Sequence, residues 1–366
     1  MLTIASRCVD NLYVSPSPGS KIRQWLVRDI AAKKDADVAS RAARHFGITR
    51  QAVARHLRRL VDDGLIVAEG HTQARRYKLA TLGNFLQSYP LNPDFQEDVI
   101  WSQGLRPLLA AVPARTLEIC EYGVTEILNN ARDHSESEDV SIQLELTCAE
   151  LTLSVQDRGV GIFRKIKDAC RLDDERQAIL ELVKGRLTTD PEHHTGEGIF
   201  FTLRAFDRFA ILSGSLSLIH LRQGADWRID DAKPIVGTHV SMSIQPESTH
   251  TLQEVFDRYA SEQDDYAFRR TQLMVALAQT EGGSLISRSQ AKRVMARLER
   301  FREVNLDFSG VKSIGPAFAD EIFRVWRRAH PNVTLQPSGM SPEVEKMVLR
   351  ALARETPEPP PSPADP

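Results

Sequence analysis

The run "DVSIQLELTCAELTLSVQD", Asp139 to Asp157, restricts the architecture more than any other part of the chain. Val140, Ile142, Leu144 and Leu146 alternate with polar residues, and after a short break Leu151, Leu153 and Val155 alternate again. Period-two alternation marks strands with one buried face, and two such runs this close make a β-hairpin. The preceding segment, "EICEYGVTEILNNARDHS", changes period: Ile119, Gly123, Ile127 and Ala131 recur every four residues beside Cys120, Val124 and Leu128. This is a helix with one broad apolar face. A helix laid on an antiparallel sheet is therefore the expected layering.

The same helix carries Glu126, Asn129, Asn130, Asp133 and His134. Glu126 and Asn130 lie four apart and project to the same side. Burying both without a ligand costs free energy, whereas a carboxylate beside an amide oxygen suits a hard cation and an activated water. Asn129 and Asp133 point elsewhere, as structural or solvated groups. The second strand ends at Asp157, and "DRGVGI" sets Gly159 and Gly161 just behind it, where a backbone can approach a flat ligand closely. In "HHTGEGIFFTLRAFDRF", Gly196 and Gly198 precede an apolar helix whose first amides suit phosphate. "IVGTHVSMSI" is a further alternating strand with Gly237 and Thr238. His193 and His194 are adjacent and point apart, with no Cys or Asp set beside them, so no metal site is expected there.

Each piece is common alone; their order is specific. An acid-amide helix, a hairpin ending Asp-x-Gly-x-Gly, a variable segment, a Gly-x-Gly helix and a Gly-Thr strand resemble the Bergerat-fold (GHKL) ATPases over residues 97–245. The Glu126, Asn130, His134 spacing is similar to that of the anti-sigma-factor serine kinase branch. The resemblance implies ATP and Mg²⁺ as cofactors. Asn130 would hold Mg²⁺ against the phosphates, Glu126 would act as general base, and Asp157 would accept from the adenine amine with support at Thr238. Gly159 and Gly161 would close around the base, Gly196 and Gly198 would line the phosphates, and residues 162–195 would form a lid. His134 is as well suited to capping the helix end as to touching ligand. The glycine box "TGEGIFF" is short for the family, and no phosphoacceptor-histidine helix precedes the domain, which argues against a two-component sensor kinase.

The net charge of −2 conceals an asymmetry. Residues 20–80 hold 14 Lys/Arg against 6 Asp/Glu, so a basic module sits on an acidic body and points to a polyanionic partner. "KIRQWLVRDIAAKK" is an amphipathic helix through Ile22, Leu26 and Ile30; Val38, Ala42 and Phe46 stripe a second; Val53, Leu57 and Leu60 line a third that starts after Thr49. "LIVAEGHTQARRYKLA" then alternates about a Gly-containing turn. The spacing "ITRQAVARHLRRLVDDGLI" resembles the winged helix-turn-helix of bacterial transcription regulators. That resemblance implies DNA contact through Thr49, Arg50, Gln51, Arg55, Arg58, Arg75 and Arg76. The alternative is a winged helix reused for protein docking.

Residues 81–96 read as a linker and 246–270 as a second one. Residues 271–352 alternate strands and helices as a small α/β domain, and the Pro-rich tail at 353–366 reads as disordered. "VNLDFSGVKSIGPAFADEIFRVWRR" resembles the STAS domain of anti-anti-sigma factors. Gly315, Pro316 and Ala317 stand where that family has its acceptor serine, which argues against an in-chain phosphorylation switch. Asp320 and Glu321 read as a solvated helix face.

The expected fold class is multidomain: a winged helix, a central two-layer α/β sandwich of Bergerat type, and a STAS-like α/β domain. Four scattered cysteines, no CxxC spacing, no long apolar run and no signal-peptide pattern point to a cytoplasmic protein without membrane contact. The expected function is a nucleotide-switched, DNA-binding transcription regulator with slow ATP hydrolysis, acting as a homodimer. The alternatives are a serine/threonine kinase acting on a STAS or sigma-type partner, and an ATPase of a stress or phage-defence assembly.

Overall fold

The computed structural model describes residues 18–32, 37–70, 75–187, 196–224, 226–260, 268–279 and 284–353. The chain divides into two compact units, the first from residues 1–162, 202–226 and 232–252, the second from 163–201, 227–231 and 253–366. Among the described residues no helix is long and apolar enough to cross a membrane.

The first unit begins with three helices, α1 (Pro18–Ala32), α2 (Val38–Phe46) and α3 (Arg50–Asp62), and an antiparallel ribbon of β1 (Ile66–Glu69) with β2 (Arg76–Leu79). Leu26, Val27, Ala42, Val53, Leu57 and Leu60 are buried together, the apolar stripes of all three helices meeting in one core. Asp37 caps α2 by accepting from the Ser40 amide at 3.2 Å; Gly47 ends it in the left-handed region; the Thr49 side chain accepts from the Ala52 amide at 3.2 Å and starts α3. These caps satisfy amides that a helix start leaves unpaired, and they fix the turn between α2 and α3.

Next in the chain is a five-stranded antiparallel sheet in the order β3-β4-β5-β7-β6, built from β3 (Gly83–Pro90), β4 (Asp139–Leu146), β5 (Leu151–Asp157), β6 (Arg208–Leu221) and β7 (Asp226–Ile244). The stretch read as a linker from 81 to 96 thus contains an edge strand, paired with β4 from Gly83↔Leu146 to Pro90↔Asp139. Its composition, with Gly83, Pro90 and no charged residue, hides it: the pairing partner lies beyond the next helix, so the strand is specified by a non-local ladder. The other linker, 246–270, contains a helix, Leu252–Tyr259.

Helix α4 (Ala114–His134) buries Ile119, Cys120, Val124 and Leu128, while β4 and β5 bury their alternating apolar residues. Gly123 lets this helix approach closely: a Cβ there would lie 2.4 Å from the Phe206 ring and 3.3 Å from Met242 Sδ on β7. A helical run, Glu97–Val99 continuing through π-helical Ile100–Leu105, packs along α4, and Glu97 pairs with Arg132 at 3.4 Å.

The N-terminal module of α1–α3 and the β1–β2 ribbon is seated on this sheet. Cys148, in the turn between β4 and β5, is 1% exposed within the core of α1–α3, and its thiol donates to the Leu65 carbonyl at 3.6 Å. Only residues 80–82 separate β2 from β3, and the Leu82 amide donates to the Leu146 carbonyl at 2.7 Å.

The second unit contains α5 (Ile162–Cys170, all but its first residue), α6 (Glu175–Lys184) and a parallel sheet in the order β10-β9-β8, made by β8 (Arg270–Met274), β9 (Glu303–Asp307) and β10 (Thr334–Ser338). Helices Arg288–Met295, Pro316–Asp320 with its π-helical continuation Glu321–Trp326, and Pro342–Ala353 complete it. Asp320 and Glu321, expected on a solvated face, are 6% and 7% exposed. Asp320 is buried because Arg324 grips it with two hydrogen bonds of 2.6 and 2.7 Å, which offset the cost of removing the carboxylate from water. The Pro-rich tail beyond Ala353 lies outside the described residues.

Candidate functional site

Asp157 closes β5 and is 6% exposed. Its Oδ1 accepts from the Gly159 amide at 2.9 Å and the Thr238 amide at 3.2 Å. Burial pushes this carboxyl above its usual range, and the hydrogen bonds from Gly159 and Thr238 oppose the rise. The Thr238 hydroxyl oxygen accepts from the Ile162 amide at 3.0 Å, so β5, the loop after it and β7 are tied at one point.

That point is built for backbone approach. A Cβ on Gly159 would lie 1.8 Å from the Ser135 carbonyl oxygen. One on Gly161 would lie 2.7 Å from Ser213 Oγ. Gly237 has φ +77, and a Cβ there would lie 2.3 Å from the Asp157 carbonyl oxygen. The Val160 amide donates to Ser135 O at 2.8 Å, and the Arg158 amide donates to Ser137 Oγ at 3.1 Å, pinning the loop to the end of α4. Sequence reasoning missed Ser135, Ser137 and Ser213. Their only signal is tertiary, because an isolated serine in a loop or strand carries none.

On α4, Glu126 and Asn130 are half-buried, and Asn130 Nδ2 donates to the Glu126 carbonyl at 2.6 Å. With the amide nitrogen so engaged, Oδ1 is the atom that would meet a cation. Asn129, set aside from sequence, buries Oδ1 with no hydrogen-bond partner. Asp133 pairs with Arg132 at 2.7 Å, and His134 is half-buried at the helix end. Among the described residues no group of three His, Cys, Asp or Glu could hold a metal ion.

Gly196 and Gly198 belong to the second unit. Gly198 opens helix α7 (Gly198–Ala205), and Gly196, at φ +70, packs so closely on Leu187 that a Cβ would lie 2.5 Å from its carbonyl carbon. The expected lid, 162–195, contains α5 and α6, and residues 178–184 of α6 are all buried. The adjacent histidines, His193 and His194, lie outside the described residues.

In the N-terminal module Arg50, Gln51, Arg55 and Arg58 are exposed on α3, and Arg75 and Arg76 are exposed where β2 begins. Arg50 reaches Asp37 at 3.4 Å, and Arg75 lies 5.8 Å over the Tyr77 ring. Partial burial, and then the charges of Arg23, Arg55 and Arg59, hold His56 below its usual range. Arg41, on α2, is held in an ion pair with Asp29.

No curated protein matches the chain. Residues 290–345 match the family model of a STAS-like domain of unknown function (DUF4325), which makes the C-terminal part of this multidomain α/β chain a STAS-like domain.

Proposed function

We propose that the chain is an ATP-binding, nucleotide-switched regulator that contacts DNA through its N-terminal winged helix and hydrolyses ATP slowly. The observation that carries this reading is the buried Asp157 carboxylate set among Gly159, Gly161, Gly237 and Thr238, on a sheet whose covering helix presents Glu126 and Asn130. A buried acceptor beside backbone that cannot carry a Cβ suits the flat, amine-bearing edge of adenine. The same arrangement supports a central domain of Bergerat type. Bound ATP would bring the phosphoanhydride to be cleaved, and Mg²⁺ would neutralise its charge. Asn130 Oδ1 would meet the cation, Glu126 would take the proton of the attacking water, and Asp157 would orient the base with Thr238 behind it. By the family resemblance alone, Gly196 and Gly198 would take the phosphates.

Two further expectations separate the roles. Glu126→Ala should keep ATP affinity within about threefold and lower hydrolysis about 100-fold or more, as expected for loss of a general base. Asn130→Ala should instead lose Mg²⁺-dependent binding. Single-turnover hydrolysis and equilibrium binding with and without Mg²⁺ measure both, and equal hydrolysis by wild type and Glu126→Ala sinks the base assignment.

The DNA side rests on the exposed arginines Arg50, Arg55 and Arg58 of a capped α3 and on Arg75 and Arg76 at the start of β2. Retention of random-sequence DNA should fall steeply between low and moderate salt and should change with a non-hydrolysable ATP analogue. Arg55→Ala together with Arg58→Ala should reduce the slope of log affinity against log salt by about 2, close to one unit per phosphate contact. No DNA retention at any salt moves the winged helix to a protein-docking role. The kinase reading would then need a separate acceptor, because the C-terminal turn has Gly315, Pro316 and Ala317 in place of a hydroxyl.

A further inference from the structure

The five-stranded sheet has two edge strands, β3 and β6. An edge presents a row of amides and carbonyls, and most edges are blunted by charge, by an internal proline or by a break in the strand. β6 carries Arg208 and is interrupted at Gly214, whose φ is +57. β3, "GNFLQSYP", has none of these devices: it holds no charged residue and no positive φ, and its proline is the last residue. Leu86, in its middle, is 75% exposed. A Cβ on Gly104 would lie 3.2 Å from the Phe85 ring and 3.7 Å from the Tyr89 hydroxyl, so Phe85 and Tyr89 face the helical run. Leu86 therefore lies on the opposite face, as does Ser88, whose hydroxyl bonds that of Ser141 at 2.7 Å.

The backbone of β3 has a definite outward side. The Leu91 amide donates to the Glu138 carbonyl at 2.9 Å, one step beyond the Pro90↔Asp139 pair. Opposed residues in an antiparallel ladder alternate between bonded and non-bonded pairs. Phe85, Gln87 and Tyr89 thus direct their amides and carbonyls to β4, and Asn84, Leu86 and Ser88 turn theirs away from it. No strand among the described residues pairs with this side. Its two ends are closed: the Leu82 amide donates to the Leu146 carbonyl at 2.7 Å, and Pro90 has no amide.

We infer that β3 pairs antiparallel with β3 of a second copy of this chain, about a two-fold axis at Leu86. This register sets Leu86 against Leu86 of the copy, Asn84 against Ser88, and Leu82 against Pro90. The outward residues then exchange about six main-chain hydrogen bonds. The two positions that have no amide to offer fall opposite each other, so the pairing ends cleanly on both sides. No charge meets a like charge, and the exposed leucines cover one another. An acidic or basic peptide would find no counter-charge along β3. The contact is self-complementary and closes at two copies, which removes one open edge from each sheet. It stands whether or not the chain binds nucleotide.

Sedimentation equilibrium of the full chain at micromolar concentrations tests the interface, with three substitutions. Wild type should show a monomer–dimer equilibrium. Leu86→Lys alters a side chain already in solvent, which leaves the monomer folded, and opposes two like charges at the axis. Leu86→Pro removes an amide that the β3–β4 ladder does not use, a position where an edge strand tolerates proline. Each should raise the dimer dissociation constant about tenfold or more, from lost packing or from lost hydrogen bonds. Leu86→Cys should form a disulfide-linked dimer through that residue under a mild oxidant, with wild type as the control for Cys8, Cys120, Cys148 and Cys170. A monomeric wild type overturns the inference and leaves this edge to a different polypeptide. A dimer equally stable in Leu86→Lys and Leu86→Pro overturns it as well, because the copies then meet through another surface. Failure of Leu86→Cys to cross-link overturns the register.

Discussion

Replacing Asp157 by asparagine is expected to weaken ATP binding about 100-fold while leaving the fold at least as stable at neutral pH. The asparagine Oδ1 can still accept from the Gly159 and Thr238 amides, now at 2.9 and 3.2 Å, so the loop keeps its ties. The second oxygen becomes an N–H donor, which would face the donor amine of adenine. A site built around one hydrogen-bond polarity rejects the opposite one strongly, because both groups are left unpaired in a dry environment. Inosine triphosphate, with a carbonyl where ATP has its amine, should lose far less affinity. Calorimetric titration of both nucleotides measures the pair of effects, and unchanged ATP affinity in Asp157→Asn would remove Asp157 from the site.

The stability half of that result follows from the direction of the pKa shift. Burial raises the Asp157 carboxyl in the native state, so between its unfolded and native values the folded protein binds more protons than the unfolded chain. Stability contributed by this group is therefore present at low pH and declines as pH rises through that window. Asparagine has no charge to desolvate and escapes the decline. The melting temperature of Asp157→Asn at pH 7 should equal or exceed that of wild type. In wild type, ATP affinity should fall as pH drops through the raised native value, where the carboxyl becomes protonated.

Gly159→Ala should be the most damaging single methyl in the first unit. The new Cβ would lie 1.8 Å from Ser135 O and 2.5 Å from Ser135 C, and backbone cannot rotate aside as a side chain can. Either the end of α4 or the loop after β5 must move, breaking the Val160–Ser135 and Arg158–Ser137 hydrogen bonds. Overpacking of this kind costs about 3 kcal/mol, or a fall of about 6–12 °C in melting temperature for a unit of this size. Gly64→Ala is the control: its φ of +71 is strained for alanine, but no atom lies within 4 Å of the new Cβ, so a loss of about 1 kcal/mol is expected. Equal melting of wild type and Gly159→Ala would mean that the close approach is absent in solution.

Local patterns made much of the scaffold readable. Val53, Leu57 and Leu60 repeat at helical spacing, and all are essentially fully buried in α3. Thr49 has the chemistry of an N-cap and fills that role. The alternation that predicts a hairpin matches the β4–β5 ladder from Val140↔Asp157 to Leu146↔Leu151. Each of these depends on residues a few positions apart, where helix and strand periods act directly on the chain.

What the linear chain determined, then, was the helices α1–α4 and the β4–β5 hairpin, along with Glu126, Asn130 and Asp157 as the residues to be tested for chemistry. Only the tertiary structure decided that 83–90 is a strand, that Gly237 and Ser213 close on the Asp157 loop, and that Lys184, Asp320 and Glu321 are inside. The physical reason is common to all of these. A ladder, a close backbone approach or a buried charge is stable only through its partner, and each of these partners is placed by the fold: Leu146 for Gly83, Ser135 for Gly159, Arg293 and Ala296 for Lys184.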